Sequence, residues 1–277
     1  MMNLFRLAAA ASLAALMSGA IAGAAQADAT LDRIKQRGSL VAGVILSGAP
    51  FGYIDAKSQE QKGFNIDLAT ELARGLGVKL ETVTVTPPNR VQFLQQGKVD
   101  LLIANMSWTE ERAEMLDFVP TAFERSGGIA LGRKGTPVKD WPDLKGKTVC
   151  LSQGANFTKP LAEEIGAKIK GFPSQPDSLL ALKGGQCDAA VHTGATLRVM
   201  LLDHPEDWKD YEILTPTDLL PSLNVIWVRK GETDAREALD GIMRRLHGSG
   251  WIIDAAERNR LAVTPYFLET RDANKGR

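Results

Sequence analysis

Apolar and polar positions along the chain follow two periods in turn, and each period predicts a different element. From Phe64 to Leu76 an apolar side chain stands at every fourth position, which predicts a helix over 64–76 that ends at Gly77. Short apolar runs, of the kind typical of buried parallel strands, stand on either side of that helix. These runs predict strands over 40–46, 79–85 and 99–104, and the pattern between the last two predicts a short helix over 89–96.

The alternation of strand and helix begins again after Gly127 and Gly128. It predicts strands over 148–152, 168–172 and 188–193, and helices from the first of these strands to about Ile165, over 177–183 and over 195–202. An extended apolar segment follows over 222–229, and a helical tail over 234–260 is interrupted by glycines. Strands that alternate with helices are typical of α/β proteins with parallel sheets.

Two such units predict two lobes, each a mostly parallel sheet flanked by helices, with a ligand cleft between them. We expect residues 28–128 to form the first part of lobe 1, 129–223 to form lobe 2, and 224–277 to return to lobe 1 with the C-terminal helices. The chain would then cross between the lobes near 127–132 and 224–228, and these crossings are the expected hinge.

Residues 1–27 have the pattern of a secretory signal peptide. Arg6 provides the positive charge, the next stretch is apolar, and residues 25–27 form a small-x-small cleavage site. Serine and glycine interrupt the apolar stretch, which disfavours a membrane anchor, and no cysteine stands at the cleavage site to carry a lipid. We therefore expect a soluble mature protein that begins near Asp28 and works in the periplasm.

The composition narrows the classes of function. With 33 basic and 33 acidic residues the chain has no net charge, which gives no reason to expect a nucleic acid as partner. Cys150 and Cys187 are the only cysteines, and export permits a disulfide, but whether two parallel strands bring them together stays open. The histidines and cysteines show no metal-ligand spacing, so we expect neither a metal nor a cofactor.

The segment over 100–119 carries the clearest indication of a binding site. A buried strand ends at Asn105, and Ser107 and Arg112 follow on a polar turn, which is where ligands bind in open α/β sheets. The planar guanidinium of Arg112 can bind a carboxylate through two hydrogen bonds, so we expect capture of a small anion. The alternative is a surface arginine that pairs with a neighbouring glutamate. The candidate glutamates are Glu110, Glu111 and Glu114.

Four segments, in this order and spacing, resemble the amino-acid-binding periplasmic proteins of ABC importers. They are GFNIDLATELARGLG at 63–77, QQGKVDLLIANMSWTEERAEMLDF at 95–118, DLKGKTVCLSQGAN at 143–156 and GGQCDAAV at 184–191. The TPPNR segment at 86–90 resembles the branch that binds acidic amino acids. The resemblance implies the type II periplasmic-binding-protein fold and a solute-binding protein that closes on its ligand by hinge bending. It also implies an ABC permease as partner, and we expect a monomer.

The resemblance also implies roles for individual residues. Arg112 matches the arginine that clamps the ligand α-carboxylate, and Ser107 matches the residue that assists it. Asn105 stands where a backbone carbonyl accepts from the α-ammonium, and Arg90 stands where the acidic-ligand branch reaches the side-chain carboxylate. Backbone amides of the turn that opens the next helix in lobe 2 complete the carboxylate site. The members of that turn are Ser152, Gly154, Ala155 and Asn156.

Thr193 departs from the family pattern, because it stands where the family has an aspartate that pairs with the ligand ammonium. A buried ammonium without a counter-charge is strongly unfavourable. Unless a carboxylate elsewhere takes over, we expect a carboxylated ligand whose amino group is weakly held, modified or absent. Gly48 and Pro87 stand where many members have a stacking aromatic, which predicts a differently shaped pocket.

An exported enzyme on the same scaffold, similar to cyclohexadienyl or prephenate dehydratases, is the main alternative. It needs an acid or base in the cleft, but residues 192–196 include no carboxylate, and strand alternation predicts that His192 points away from Thr193. A sensory module is the third possibility; a membrane segment would follow it, and we expect none. The sequence therefore predicts a binding protein rather than an enzyme.

Overall fold

The structure is a computed structural model that describes residues 29–276, so the predicted signal peptide lies outside the described residues. The α-helices of the described part are α1 (Ala29–Arg37), α2 (Phe64–Leu76), α3 (Arg90–Gln95), α4 (Glu110–Met115), α5 (Gln175–Lys183), α6 (Gly194–Asp203), α7 (Thr233–Gly248), α8 (Trp251–Arg258) and α9 (Pro265–Asn274). The strands are β1 (Ser39–Val44), β2 (Tyr53–Ile54), β3 (Gln61–Lys62), β4 (Lys79–Thr84), β5 (Leu101–Ile103), β6 (Leu116–Phe118), β7 (Glu124–Arg133), β8 (Thr148–Ser152), β9 (Lys168–Phe172), β10 (Ala189–Thr193), β11 (Tyr211–Ile213), β12 (Leu219–Asn224) and β13 (Trp227–Arg229).

Lobe 1 is built on a five-stranded sheet in the order β4-β1-β5-β13-β6. The strands β1, β4 and β5 are parallel, and β13 runs antiparallel to both β5 and β6. Helix α2 packs the apolar side chains of its predicted stripe, including Phe64 and Leu68, on one side of this sheet. Leu94 of α3 and Trp227 of β13 belong to a second buried cluster that includes Leu102 of β5. The sheet is therefore covered on both faces, as its continuous apolar runs predict.

Lobe 2 is built on a six-stranded sheet in the order β11-β7-β10-β8-β9, with β12 also paired to β7. The strands β8, β9 and β10 are parallel, and β7 runs antiparallel to β10. Cys150 in β8 and Cys187 just before β10 form a disulfide, with their Cα atoms 5.8 Å apart. Cys150 pairs with Ala190, and Cys187 reaches it from the segment just before β10, so the disulfide answers the question that the sequence left open.

The strand and helix pattern of both lobes is close to the sequence prediction, with three differences. The helix predicted between Ser152 and about Ile165 is reduced to a five-residue π-helix at Pro160–Glu164. The extended segment over 222–229 is two strands, β12 and β13, rather than one. Several further elements were not predicted, and the shortest of them have apolar patterns that are too brief. They are α1, α4, α9, β2, β3, β6, β7 and β11.

The antiparallel pair of β7 and β12 lies where the chain passes between the two sheets. Its register pairs Glu124 with Asn224 and Ser126 with Ser222. Gly128 pairs with Thr193 of β10, so the glycines predicted as hinge residues belong to the lobe 2 sheet. A Cβ on Gly128 would approach the Phe157 ring to 3.1 Å, so this glycine is closely packed. All of β7 belongs to the lobe 2 sheet, and the chain passes between the two sheets from β6 to β7 and from β12 to β13. The hinge at 127–132 and 224–228 stays a prediction.

None of the helices in the described range 29–276 is long and apolar enough to cross a bilayer. The same range contains no group of three or more histidine, cysteine, aspartate or glutamate side chains arranged to bind a metal ion.

Candidate functional site

A cavity of about 260 Å³ lies between the two lobes, at the carboxyl ends of their parallel strands. Loops that follow β1, β4 and β5 line it from lobe 1, and loops that follow β8, β9 and β10 line it from lobe 2. This is the location that an open α/β sheet offers to a ligand. The polar lining consists of Ser47, Thr84, Thr86, Arg90, Asn105, Ser107, Ser126, Ser152, Asn156, Ser174, Gln175, His192 and Thr193.

Seven of the nine residues predicted for the site line this cavity. They are Arg90, Asn105, Ser107, Ser152, Ala155, Asn156 and Thr193. The other two, Arg112 and Gly154, do not border it but contact each other across the lobes, where Arg112 Nη2 donates to Gly154 O over 2.8 Å. Seven predicted residues therefore border one cavity, while Arg112 and Gly154 lie outside its lining, and the role of all nine in ligand binding stays a prediction.

Arg90 brings a buried guanidinium to the cavity, with 5% of the residue exposed. Its Nη1 donates to Ala104 O over 2.7 Å, and its Nη2 points to Gly154 O at 3.4 Å. Burial, with a smaller contribution from the charge of Arg112, lowers the pKa of Arg90 to about 9. In the described part of the chain it forms no salt bridge, and the acceptors of its hydrogen bonds are neutral carbonyl groups.

Arg112 is held by the first turn of α4. Thr109 is the N-cap of this helix, and its hydroxyl accepts from the Arg112 amide over 3.3 Å. The guanidinium turns back, and Nη1 donates to Ser107 O over 2.6 Å. Burial lowers the pKa of Arg112 to about 10, although the charge of Glu111 opposes the shift. A surface ion pair with Glu110, Glu111 or Glu114 is not formed within residues 29–276, so that alternative interpretation is wrong.

Asn105 occupies a left-handed backbone conformation at the end of β5, with φ of 48°. Asparagine tolerates this region better than most residues. Asn65 Nδ2 holds it by donating to Asn105 Oδ1 over 2.8 Å and to Ile103 O over 3.2 Å. The turn directs the chain from the strand into the segment that carries Ser107 and Arg112, and it brings Ser107 to the cavity.

The lobe 2 turn differs from its prediction in how it can bind an anion. Gly154 has a φ of 73°, which only glycine adopts without strain, and the Ala155 amide donates to Ser152 O over 3.1 Å. That amide is therefore already occupied, and the π-helix that follows begins only at Pro160, so no helix N-terminus lies at this turn. Instead, Asn156 lines the cavity with a buried side-chain nitrogen that has no hydrogen-bond partner in the described chain. It is a donor available to a ligand.

Thr193 and His192 both border the cavity at the end of β10. The imidazole Nε2 of His192 lies 2.9 Å from Ser178 Oγ of α5, so that hydrogen bond is directed into lobe 2. Burial lowers the pKa of His192 to about 3, which keeps the ring neutral at physiological pH. Within residues 29–276 no aspartate or glutamate lines the cavity. Thr193 replaces the aspartate of the family pattern, and no other carboxylate of the described residues borders the cavity in its place.

A hydrogen-bonded set that the sequence did not predict lies directly behind the cavity, and we call it the Glu124 network. Glu124 is buried, and its Oε2 accepts from Asn224 Nδ2 over 2.5 Å and from Ser126 Oγ over 3.1 Å. Asn224 Oδ1 accepts from Ser107 Oγ over 3.0 Å. Burial raises the pKa of Glu124 to about 7, although its bonds to Asn224 and Ser126 oppose the shift. One signal in the sequence could have indicated this network. Glu124 and Ser126 stand two residues apart just before Gly127, which places them on the same face of a strand.

These features define a two-lobed protein whose interlobe cleft has one buried guanidinium and, within residues 29–276, no carboxylate in its lining. Residues 40–258 match the family model of bacterial extracellular solute-binding proteins, family 3, and the chain belongs to this family. The family is one of solute-binding proteins, which gives no support to the enzyme alternative.

Individual relatives agree with this assignment. The chain is 30% identical over 226 residues to the ABC transporter glutamine-binding protein of Bacillus subtilis strain 168, covering 80% of this chain and 81% of the relative. It is 26% identical to the L-glutamate/L-aspartate-binding protein of Pseudomonas aeruginosa, covering 87% and 82%. The structure of holo ArgBP from T. maritima is similar with a TM-score of 0.72 and 32% identity, covering 82% and 98%.

Proposed function

We propose that this protein binds a small carboxylate, an amino acid or a close relative of one, in its interlobe cleft and delivers it to the permease of an ABC importer. The observation that carries the proposal is a buried guanidinium that borders the cavity, Arg90, with a second guanidinium, Arg112, bonded to the same carbonyl group beside it. Neither Arg90 nor Arg112 has a carboxylate partner in the described chain, and the pKa of each is lowered mainly by burial. A ligand carboxylate would supply the missing counter-charge through charge-assisted hydrogen bonds.

The charges of the cleft favour a ligand with an acidic or neutral polar side chain. A cationic side chain would meet Arg90 and, within residues 29–276, no acidic residue in the cavity lining. One structural neighbour is an ancestral arginine-binding protein bound to arginine, 30% identical with a TM-score of 0.74. Because the described lining has no acidic partner for a cationic side chain, we do not propose arginine as the ligand of this protein. Relatives named for glutamine and for glutamate and aspartate are in better accord with the cleft. In this proposal Arg112 binds the α-carboxylate, and Arg90 binds the ligand side chain.

Closure of the lobes around the ligand follows from the position of the cavity. Polar groups reach it from both lobes, so a bound ligand favours the state in which the lobes approach each other. The chain passes between the lobes from β6 to β7 and from β12 to β13, and the lobes would rotate about these passages. Arg260 and Asp203 add a second contact between the lobes, with Nη2 and Oδ2 2.7 Å apart. Export to the periplasm by the predicted signal peptide and a monomeric state complete the proposal.

A ligand-dependent thermal unfolding screen tests the proposed function. The panel contains L-glutamine, L-glutamate, L-aspartate, L-arginine and glutarate, with Arg112→Ala as the matched variant. A ligand that binds only the folded protein raises its stability by about 2.7 kcal/mol at a hundred times its Kd. We expect at least one acidic or neutral carboxylate to raise the melting temperature of the wild type but not of the variant. If no member of the panel does so at millimolar concentration, the proposed function is wrong.

A further inference from the structure

The Glu124 network connects a buried carboxylate with two hydroxyl groups that line the ligand cavity. One branch runs from Glu124 directly to Ser126, and the other runs through the Asn224 amide to Ser107. Ser126 and Ser107 both border the cavity, whereas only 3% of Glu124 is exposed. The network also joins the two connecting strands, because Glu124 is in β7 and Asn224 is in β12. It is therefore placed where the binding site meets the connection between the lobes.

An ionised Glu124 fixes the direction of every hydrogen bond in this network. A carboxylate only accepts, so the Asn224 amide must present its nitrogen to Glu124 and its oxygen to Ser107. The hydroxyl proton of Ser107 then points to Asn224, and that of Ser126 points to Glu124. Both hydroxyl groups are left with lone pairs for the cavity. Ser126 Oγ accepts one bond from Asn224 Nδ2 over 2.9 Å and keeps one lone pair; Ser107 Oγ keeps two.

We propose that ionised Glu124 provides the counter-charge for the α-ammonium of an amino-acid ligand, relayed through Ser126 and through Asn224 to Ser107. This inference rests on the proposed function and names its ligand class as amino acids with a free ammonium. Glu124 acts as a positioning residue, because the ammonium contacts the serine hydroxyls and not the carboxylate. Thr193 borders the cavity but carries no charge. In this proposal Glu124, which does not border the cavity, provides the negative charge instead.

The surroundings of Glu124 make this charge sensitive to pH near neutrality. Burial raises the pKa of Glu124 to about 7, and the negative charge of Asp218 adds to the shift. Tyr266 of α9 faces it with a phenol whose own pKa is raised, mainly by burial, and His247 of α7 packs edge-on against that ring. In the described chain no cationic side chain pairs with Glu124. The nearby Asp218 has a cationic partner of its own, Arg198. An ammonium at the serine hydroxyls would be the nearest positive charge, so its binding favours the ionised carboxylate.

Calorimetry with matched ligands tests the inference. The probes are L-glutamine and L-glutamate, each compared with the acid that lacks the α-amino group, glutaramate and glutarate. Because binding of an ammonium selects ionised Glu124, the wild type should bind the amino acids about tenfold more tightly at about pH 8 than at about pH 6. The deaminated acids should show no such gain. Glu124→Gln should remove the pH dependence and reduce the preference for amino acid over deaminated acid by at least about tenfold.

Two further variants make the result specific. Ser126→Ala removes the direct branch and should also reduce the preference for the amino acid, even if Glu124→Gln does not fold. Glu232→Gln is the matched control, because Glu232 is likewise buried but bonds to Thr30 and does not border the cavity. It should retain the wild-type preference.

Two outcomes separate this inference from the proposed function. If amino acids bind and both Glu124→Gln and Ser126→Ala keep the wild-type preference and pH dependence, the relay is wrong and the proposed function stands. If only the deaminated acids bind the wild type, the relay is wrong and the cleft is a binding site for small carboxylates. If no acid or amino acid binds at all, the proposed function itself is overturned.

Discussion

Arg112 of lobe 1 donates a hydrogen bond of 2.8 Å from Nη2 to the carbonyl oxygen of Gly154 in lobe 2. Arg90 Nη2 lies 3.4 Å from the same oxygen, so two guanidinium groups share one neutral acceptor across the cleft. A carboxylate brings a full negative charge to a guanidinium, whereas a backbone carbonyl brings only a dipole. We therefore expect a carboxylate that reached this position to displace Gly154 from at least one arginine. Ligand capture and the contact between the lobes are linked through this one carbonyl group.

The first prediction concerns Arg112. Arg112→Ala should weaken binding of the preferred carboxylate by about 2–5 kcal/mol, because the ligand would lose its charged partner in a buried site. The free energy of unfolding should change much less, since within residues 29–276 the guanidinium bonds only to the carbonyl groups of Ser107 and Gly154. Arg112→Lys should also bind weakly, because an ammonium lacks the planar pair of donors. Calorimetry with each variant measures this, and near wild-type affinity in Arg112→Ala would refute the assignment.

The second prediction separates Arg90 from Arg112. If Arg90 binds the ligand side chain, Arg90→Gln should weaken binding of L-glutamate more than binding of L-glutamine, because only the former brings a second negative charge. The pKa of Arg90 is lowered to about 9 by burial, so its folded-state charge is costly and the variant should lose little stability. Competition binding of the two amino acids gives the ratio of affinities. An unchanged ratio would show that Arg90 does not contact the ligand side chain.

Much of the fold was predictable from the sequence because long apolar patterns determine their own elements. The helix at Phe64–Leu76 and the strands at Thr148–Ser152 and Lys168–Phe172 have the predicted bounds. Elements of two or three residues, such as β2 and β11, carry too little pattern to be recognised. The helix predicted after Ser152 failed for a different reason: the chain turns at Gly154, in the left-handed region, and regular helix does not follow directly.

The candidate site was predictable only as far as strand ends could be located. Asn105 and Ser107 reach the cavity because β5 ends there, and Arg90 reaches it at the start of α3, after the end of β4. The partners of these residues could not be predicted, because they come from distant parts of the chain. Asn224 bonds to Ser107 across a sequence separation of 117 residues, and the pairing depends on the register of β7 with β12. Glu124 therefore read as an ordinary charged residue next to Arg125.

The third prediction concerns the disulfide of lobe 2. Cys150 and Cys187 are 37 residues apart, and closing a loop of this length in the unfolded chain is worth about 4 kcal/mol in a chain-entropy model. Reduction should therefore lower the urea midpoint of unfolding markedly. Ligand affinity of the reduced folded protein should change little, since neither cysteine borders the cavity. Urea titrations of oxidised and reduced protein, followed by calorimetry, test both statements, and equal midpoints would contradict the first.

The fourth prediction concerns closure. Small-angle scattering should give a smaller radius of gyration with saturating ligand than without it, because contacts from both lobes stabilise the approached state. Asp203→Asn should allow a more open unliganded state by removing the ion pair with Arg260 at the edge of the lobes. The effect of this variant should decline at high salt, because the pair is partly exposed. An unchanged radius of gyration in a sample shown to bind ligand would count against closure.

The last prediction concerns stability and the raised pKa of Glu124, which is about 7 in the folded protein against an ordinary value of 4.5. Below about pH 4.5 the side chain is protonated in both the folded and the unfolded state, and the neutral form causes no penalty. Between about pH 4.5 and about pH 7 the folded protein holds a proton on Glu124 that the unfolded chain has lost, so the free energy of unfolding falls as pH rises. The full loss, reached above about pH 7, is about 3 kcal/mol. Glu124→Gln removes this titration, so in urea unfolding at a series of pH values the variant should gain stability relative to the wild type from about pH 4.5 to about pH 7. Parallel curves over this range would mean that Glu124 is not desolvated in the folded protein, and they would also remove the basis for its sensitivity to ligand charge.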